Sequence, residues 1–542
     1  MAAQNTLLAA YGGDVITLDP ARPRATALLA LGDRLLACGD DGEVRGLYDQ
    51  LKGLRGIVAA DPIPLRGRAV IPGLIDSHLH MGLYGAFLQQ VDLNGVGSID
   101  ELKAPIGDRA AQTPAGKWII GAGWQQDALA EKRMPTKHDL DAVTPANPAM
   151  FYRVCFHLVA VNTLALQAAG ITADTPDPPG GTIDRDPATG EPTGILREKA
   201  VDLVTRQIPE LTPDELLENL RLAVRRASAA GLTSVHSNDD NGAAAVRGYV
   251  ALRDAGELTV RTYLDTTWTP HDESALALPP GLGDEWIRIG SVKIFSDGSL
   301  GGRTALLREP YSDDPATRGL ALYTKDQLDS AVWKAHHAGR QVAIHAIGDG
   351  AVAMTLDAVE AALRRSPRAD HRHRIIHAQV VAADLIPRLR DLGMVIDIQP
   401  KFVTGELQWA PDRLGPERVP YSYCWRTLLE SGVRCAGSSD CPVEPIEPLL
   451  GIYAAVTRSG MDGEPRDGWL PTERLDPLTA LKLFTLDAAY GAFGENEKGS
   501  LEPGKLADFV VLDRALDKVP PHEIKDLQVE TTVAGGKIVY QA

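Results

Sequence analysis

The feature that most constrains this chain is an alternation of short apolar runs with amphipathic helical stretches through its middle. Eight apolar runs of strand length are separated by segments with helical spacing of their apolar residues. Strands that alternate with helices pair in parallel, so the pattern predicts a (β/α)8 barrel of the TIM type. The predicted strands are 69–76, 232–237, 260–267, 289–296, 341–346, 373–378, 395–399 and 433–438.

Capping residues locate the helix that precedes the second predicted strand. Thr212 at the N-cap, Pro213 at the first helical position and Glu215 at the third form a capping box. Two further helices are predicted at 326–337 and 476–489.

Both ends of the chain have a sequence pattern that is typical of β-strands. Short apolar runs flank the turn Gly32-Asp33-Arg34 near the amino end, and the tail has a similar pattern around Gly535-Gly536. We expect the two ends to build one accessory sheet. The runs lie at 14–18, 27–31, 35–38, 507–512, 530–533 and 537–540.

One segment interrupts the barrel repeat. Residues 96–212 contain Pro and Gly clusters together with helices of their own, and they predict an inserted α/β segment after barrel strand 1 that caps the strand ends. The predicted domains are an accessory unit (1–68 and 499–542), the barrel (69–95 and 213–498) and the insertion (96–212).

The first candidate for chemistry is a His-x-His at the end of the first predicted strand. The apolar run 70–75 leads through Asp76 and Ser77 into His78 and His80. Residues two apart in an extended chain point the same way, so both imidazoles can aim at one point. Imidazole is a common metal ligand, although a lone His-x-His also fits a polar loop.

Three other possible ligands stand at strand ends. His345 and His377 each close an apolar run, and Asp440 follows the eighth predicted strand. The carboxyl ends of barrel strands meet at one rim, where barrel active sites lie. With His78 and His80, these side chains form the donor set of a hydrolytic metal site, for which we expect one or two divalent ions and zinc as the metal.

Lys293 lies inside the fourth predicted strand, between Val292 and Ile294. A buried lysine is costly unless its charge is paired or altered. One interpretation is a buried ion pair with a carboxylate. The other is a carbamate formed with CO2, an anion whose two oxygens could bridge two cations.

Three residues are candidate substrate contacts. Trp124 follows the small residues 121–123, which could let its indole reach a cavity, and the alternative is a core tryptophan. Arg303 follows the strand of Lys293 and could meet a polar end of a substrate. His236 ends the second predicted strand, where it either faces the site or is a satisfied core histidine.

Four other histidines are predicted to lie outside the site. His336 and His337 are adjacent on a helix, so their side chains diverge, and we expect surface positions that complement the helix dipole. His371 and His373 precede a strand at its amino end, the face of a barrel that serves stability.

Charge and cysteine content exclude several classes of protein. The 542 residues include 55 Lys+Arg and 72 Asp+Glu, a net charge of −17. Nucleic acids and anionic membranes attract clustered positive charge, so we expect a small-molecule substrate and neither of those partners. Five scattered cysteines, no basic residue before Arg22 and no apolar run of the roughly 18 residues that span a membrane predict a soluble, cytoplasmic protein.

Seven motifs are spread over nearly the whole chain. They are PGLIDSHLH at 72–80, GAGW at 121–124, VKIFSDGSLG at 292–301, HAIGDG at 345–350, HA at 377–378, SSDCP at 438–442 and GKLAD at 504–508. In this order they resemble the metal-dependent amidohydrolase superfamily, specifically its YtcJ-like branch, which contains N-substituted formamide deformylases.

The resemblance implies a two-metal site. One metal would be bound by His78 and His80 and the other by His345 and His377, with carboxylated Lys293 as the bridge and Asp440 as ligand and proton shuttle. The resemblance also implies an accessory β-sandwich made from both termini, a homodimer, a substrate-side role for His157 and a structural role for Asp508.

The predicted function is hydrolysis of a C–N bond in a small molecule by metal-activated water. An amide, an N-formyl compound such as an N-substituted formamide, or a cyclic amide would be the substrate. Alternatives within the superfamily are a deaminase or an ester hydrolase. A non-catalytic scaffold or regulator is a more remote alternative, because it would have lost ligands and all six are present.

Overall fold

The computed structural model describes residues 5–153, 158–239 and 242–542. The chain divides into two compact units, one of residues 1–85 with 216–542 and one of residues 86–215. The larger unit contains an eight-stranded and a nine-stranded sheet, and the smaller unit contains a six-stranded sheet.

The eight-stranded sheet takes one strand from each predicted run, and its strands pair in parallel in chain order, which confirms the barrel. Past the strand ends, Asp440 N donates to His78 O and His80 N donates to Cys441 O, each at 2.9 Å, which joins the eighth strand to the first. The barrel strands are Leu74–Leu79, Leu232–Asn238, Arg261–Thr267, Ile287–Phe295, Val342–Ala346, Arg374–His377, Val395–Ile398 and Arg434–Gly437.

The first barrel strand differs from the prediction because the run 69–76 is divided between two sheets. Ala69–Pro72 belongs to the nine-stranded sheet, whereas Leu74–Leu79 begins the barrel. At the junction, a Cβ on Gly73 would lie 2.2 Å from Thr233 Oγ1 of the second barrel strand. The close approach of that strand therefore requires glycine at this position.

The predicted capping box is present in helix Pro213–Ala229. Thr212 N donates to Glu215 Oε2 at 2.9 Å, and Glu215 N donates back to Thr212 Oγ1 at 3.3 Å. The predicted helix 476–489 is instead two helices, Pro477–Leu483 and Leu486–Gly491. They are separate because Phe484 O leaves the helical pattern and accepts a hydrogen bond from Ile75 N at 2.6 Å.

Among the remaining helices outside the insertion, Asp41–Leu51 packs against the nine-stranded sheet. The α-helices are Asp41–Leu51, Met81–Leu88, Ala243–Asp254, Ser274–Ala277, Lys325–His337, Asp349–Arg365, Leu385–Asp391, Val403–Glu406, Ala410–Leu414, Trp425–Glu430 and Pro448–Thr457. Short 3-10 helices are Pro400–Phe402, Val419–Tyr421, Pro471–Glu473 and Pro521–Asp526.

The nine-stranded sheet is shared by the two ends of the chain. Its core combines side chains from both ends, such as Leu28 and Phe509. The last hairpin turns at Gly535 and Gly536, whose φ angles of 56° and 68° suit a two-residue hairpin loop. The sandwich arrangement stays a prediction. The strands are Asn5–Ile16, Arg24–Leu31, Arg34–Gly39, Ile57–Ala59, Ile63–Pro64, Ala69–Pro72, Phe509–Leu512, Val529–Ala534 and Lys537–Gln541.

The smaller unit is built on a six-stranded sheet, and the individual strands of this predicted α/β segment were not identified from the sequence patterns. Separate apolar clusters form around Phe151 and around Met150, neighbours on one strand whose side chains point to opposite faces. That this unit caps the barrel stays a prediction. Its strands are Val91–Asp92, Ile119–Trp124, Ala149–Arg153, Leu158–Val161, Gly181–Arg185 and Pro192–Glu198, and its helices are Ile99–Gln112, Lys137–Asp141, Thr163–Ala168 and Asp202–Thr205.

A chain of histidines lies at the amino end of the barrel. His336 is only 3% exposed, so the predicted surface position is wrong for this residue. Its ring is buried because Nδ1 contacts His373 Nε2 at 2.9 Å and Nε2 donates to Ser366 O at 2.7 Å. His337, its neighbour, is exposed as expected.

None of the helices in the described ranges combines the length and the apolar character that crossing a membrane requires.

Candidate metal centre

The strand ends of the barrel carry the candidate ligands to one rim. His78 lies in the first barrel strand and His80 directly follows it. Lys293 lies near the end of the fourth strand, and Asp440 follows the eighth by three residues. Because the strands are parallel and the sheet is nearly closed, side chains at these ends face a common space.

Three of these side chains converge closely. Asp440 Oδ1 lies 3.2 Å from His78 Nε2 and 3.3 Å from His80 Nε2. One ligand atom from each of the three residues lies within 4.8 Å of the other two. Two imidazole nitrogens and a carboxylate oxygen at such spacing are a donor set suited to a divalent cation.

The other three predicted ligands adjoin this group. Lys293 Nζ lies 3.2 Å from His78 Nε2. The ring of His377 lies 6.0 Å from that of His78 and 4.5 Å from that of His345, measured between centroids. The structure therefore brings all six predicted side chains to one rim.

Hydrogen bonds to the protein determine which nitrogen of each ring is left free to bind a metal. His80 Nδ1 lies 2.8 Å from Asn238 O, and His377 Nδ1 lies 2.7 Å from Gln399 Oε1. A carbonyl oxygen only accepts, so each Nδ1 carries the hydrogen, and each Nε2 keeps its electron pair for a metal. For His345 the pattern is reversed, because Nε2 lies 3.2 Å from Gly298 O and Nδ1 keeps the electron pair.

Gln399 is a supporting residue that the sequence analysis missed. Its Nε2 donates to Asp397 O at 2.9 Å and to Ser438 Oγ at 2.8 Å, which turns its Oε1 toward His377. The only signal in the sequence is its position at the end of an apolar strand.

Asp76 is a second supporting residue without a predicted role. Its carboxylate accepts from His78 N and from Ser439 N, both at 3.1 Å, and so ties the first strand end to the loop that carries Asp440. Burial raises the pKa of Asp76 to about 7.

Burial sets the charges of the candidate ligands. It lowers the pKa of His78 and His345, and it lowers that of His377 to about 4, so these rings are neutral near pH 7. Burial opposes ionisation of Asp440, but its contacts with His78 and His80 hold its pKa below the usual range. Burial lowers the pKa of His80 as well, but the Asp440 carboxylate outweighs burial and raises it. Neutral imidazoles at His78, His345 and His377 beside an ionised Asp440 are protonation states that metal binding needs.

Lys293 has the environment of an altered amine. It is fully buried, forms no ion pair with any carboxylate of the described residues, and burial lowers its pKa to about 8. The two nearby buried carboxylates are held by Arg374, which lies 2.6 Å from Asp397 and 3.5 Å from Asp265. The described part of the chain therefore contains no carboxylate that pairs with Lys293, as the ion-pair interpretation requires.

The backbone at the rim is strained. His377, Ala378 and Asp440 have φ angles of 84°, 45° and 59°, in the region that favours glycine. Such residues cost about 1–3 kcal/mol each and concentrate at functional sites.

The candidate substrate contacts are placed differently. Trp124 is fully buried in the smaller unit, where Nε1 donates to Phe151 O at 2.9 Å, the core position that was its alternative. Arg303 pairs with Asp313 at 2.8 Å. His236 is fully buried against Tyr263, with ring centroids 5.3 Å apart, and His157 lies outside the described residues.

Comparison with known proteins agrees with this geometry. A family model described as the amidohydrolase family matches residues 62–540. YtcJ of Bacillus subtilis (strain 168) is 37% identical over 523 residues, covering 95% of this chain and 97% of that protein. N-substituted formamide deformylase of Arthrobacter pascens is 29% identical over 548 residues and covers 97% of both chains.

A solved structure has the same architecture. The crystal structure of an uncharacterized metal-dependent hydrolase from Pyrococcus furiosus superimposes with a TM-score of 0.78 at 32% identity, covering 94% of this chain and all of that one. As its motifs predicted, the chain belongs to the amidohydrolase family, in the branch of YtcJ and N-substituted formamide deformylase, and is a metal-dependent hydrolase.

Proposed function

We propose that the protein hydrolyses a C–N bond in a small amide, N-formyl or cyclic amide compound. The observation that carries the proposal is the contact of Asp440 Oδ1 with the Nε2 atoms of both His78 and His80. A carboxylate at the ligand cluster is both a metal ligand and a base within reach of a water in the same space.

The residues that would hold the metal are those already assembled at the rim. Two or three imidazole nitrogens with a carboxylate favour zinc, which we propose as the metal. A divalent metal at this position polarises a carbonyl and lowers the pKa of water toward about 7.

Asp440 is proposed to move the proton. Its carboxylate is ionised and buried, so Oδ1 or Oδ2 can accept a proton from water and return it to the leaving nitrogen. Asp76 accepts hydrogen bonds from His78 N and Ser439 N, and these bonds hold the loop that carries Asp440 against the end of the first barrel strand.

Lys293 is proposed to be carboxylated. With a pKa of about 8, roughly a tenth of its amine is neutral near pH 7 and can attack CO2. An N–C bond forms, one proton leaves, and the product is an anionic carbamate with two oxygens. Such an anion would supply the negative charge that the unmodified side chain lacks beside two histidine pairs.

The substrate class follows from a relative. N-substituted formamide deformylase of Arthrobacter pascens shares 29% identity over almost all of both chains, so N-substituted formamides are the first compounds to test. The net charge of −17 favours small-molecule substrates over nucleic acids and anionic membranes. We also propose that the protein forms a homodimer.

The test is metal analysis of the purified protein with a screen of N-formyl and N-acyl amines, aminoheterocycles and esters. We expect at least one equivalent of divalent metal and turnover of an N-formyl or N-acyl amine. Lys293→Ala should lose metal and activity, whereas Lys518→Ala, with a side chain that is 65% exposed, should keep both.

Turnover of aminoheterocycles or esters alone would replace the C–N amide proposal by one of the other activities. Absence of metal, together with no turnover in added zinc or manganese, would contradict the proposal that the protein is an enzyme.

A further inference from the structure

A cavity lies at the opposite end of the barrel from the candidate metal centre. It has a volume of about 380 Å³ and lies where the third and fourth strands begin, beside Arg261 and Arg288. The segment that follows helix Leu486–Gly491 contributes Phe493 and Lys498, and the nine-stranded sheet contributes Arg34. None of these residues belongs to the candidate metal centre.

The acidic groups on the cavity wall already have cationic partners. Glu285 and Glu497 both pair with Arg34. Asp284 pairs with Arg253 at 2.8 Å. These carboxylates therefore do not neutralise the remaining cations of the wall.

Arg261 is likewise committed. Its guanidinium donates to Asp508 at 2.8 and 3.2 Å, and both side chains are nearly fully buried. This ion pair forms a rigid part of the wall and is not available to a ligand.

Two cations of the wall are left without a carboxylate. Among the described residues, neither Arg288 nor Lys498 forms an ion pair, and Lys498 Nζ donates only to the hydroxyl of Ser234, at 2.5 Å. Burial lowers the pKa of Lys498 to about 8. The positive charges of Arg261 and Arg288 add to this lowering, and the carboxylate of Asp508 opposes it. An anion between Arg288 and Lys498 would relieve this repulsion.

We propose that this cavity binds the carboxylate or phosphate group of a small organic molecule through Arg288 and Lys498. A guanidinium and an ammonium are the side chains that recognise these oxyanions by charge-assisted hydrogen bonds. Tyr263, Phe493 and Leu506 supply apolar surface for the rest of the ligand. The overall charge of −17 opposes general anion binding, so saturable binding of an anion requires a built site.

The test measures binding and does not depend on catalytic activity. Acetate and inorganic phosphate are titrated separately into the full-length protein at constant ionic strength, by calorimetry and by thermal shift. We expect saturable binding and a rise in Tm with at least one of them, and the tighter anion identifies the preferred group. Arg288→Gln and Lys498→Gln should each weaken binding by about tenfold or more.

The matched control is Arg466→Gln, which removes the same charge from a side chain that is 90% exposed and should bind as the wild type does. Arg288 is only partly buried, so its variant tests the site even where Lys498→Gln does not fold. Absence of saturable binding, or equal affinity in Arg288→Gln and the wild type, would overturn the proposal, because the anion would then occupy another site.

Discussion

Histidines gather at both ends of the barrel, and the two groups differ in how their ring nitrogens are used. At the amino end, Val342 N donates to His373 Nδ1 at 3.1 Å, so His373 Nε2 carries the hydrogen that it donates to His336. His371 accepts from His373 N at 2.9 Å and donates to Leu392 O at 2.8 Å. Each of these rings is satisfied on both sides by the protein itself.

At the carboxyl end, the rings are held on one side only. Asn238 O holds His80, and Gln399 holds His377, so each ring keeps one nitrogen for the common space at the rim. Both groups include buried rings, such as those of His377 and His373, so neither residue type nor burial distinguishes them. His80 and His377 each have one internal hydrogen-bond partner, whereas His336, His371 and His373 each have at least two, and this number separates the two sets of rings.

The largest effect is expected from removing the base at the carboxyl end. Asp440→Asn should lower kcat by about 10²–10⁴-fold, because general acid–base catalysis is worth that much and an amide cannot accept the proton. Metal content should fall far less, since the histidines remain. Steady-state kinetics and metal analysis on the same preparation measure both quantities.

A variant at the amino end sharpens this test. His371→Gln should keep kcat, since its ring lies among satisfied hydrogen bonds away from the rim. A tenfold or smaller loss in Asp440→Asn, or a comparable loss in His371→Gln, would contradict the contrast between the two ends.

The second largest effect concerns the stability of the amino end. Asp508→Ala should cost about 3–5 kcal/mol in the free energy of unfolding, because it leaves the guanidinium of Arg261 buried without its partner. Urea denaturation measures the loss. The kcat of the folded protein should not change.

The control is Glu430→Ala, which removes an exposed partner of Arg426 four residues away on a helix. Exposed pairs of this kind are worth about 0.3–0.5 kcal/mol. A loss for Asp508→Ala as small as that of the control would show that the buried pair does not hold the accessory sheet to the barrel.

A smaller effect is expected from releasing one ligand at the carboxyl end. Gln399→Leu removes the acceptor that orients His377, and the loss of such a partner typically weakens metal binding by about 10–100-fold. Competition with a chelator measures the affinity. The control is Gln528→Leu at an exposed position, which should bind metal as the wild type does. Equal metal affinities for the two variants would show that Gln399 does not support the metal site.

The smallest effect is a change in the pH dependence of stability. Burial lowers the pKa of His371 from 6.5 to about 4, so the unfolded chain takes up the proton first as the pH falls. Stability is therefore lost between pH 6.5 and about 4. His371→Gln should reduce that slope by up to about 1.4 kcal/mol per pH unit.

Urea denaturation at several pH values measures the slope. His522→Gln, an exposed histidine, should leave it unchanged. Equal slopes for wild type and His371→Gln would mean that the amino-end chain accepts protons without losing its hydrogen bonds.

Much of the site was predictable because it depends on local pattern. An apolar strand that runs into a histidine or an aspartate puts that side chain at a strand end, and closure of a parallel barrel brings such ends together. His78, His80 and Asp440 were identified in this way, and the structure brings them within 4.8 Å. Gln399 and Asp76 were missed because their roles depend on hydrogen bonds to other strands.

Other features depended on contacts distant in sequence. The division of the run 69–76 at Gly73 follows from the approach of Thr233, and the burial of His336 follows from its contact with His373. The individual strands of the smaller unit were not predicted, because strands as short as Leu158–Val161 cannot be told from loops by periodicity.

The family, the barrel and the side chains that stand at its strand ends could be predicted, since they follow from local periodicity and from motifs in order. How those side chains are charged and held depends on the folded protein. Lys293 has no carboxylate partner among the described residues because Arg374 occupies Asp265 and Asp397. Hydrogen bonding and burial are set by neighbours far apart in the chain, and no local pattern records them.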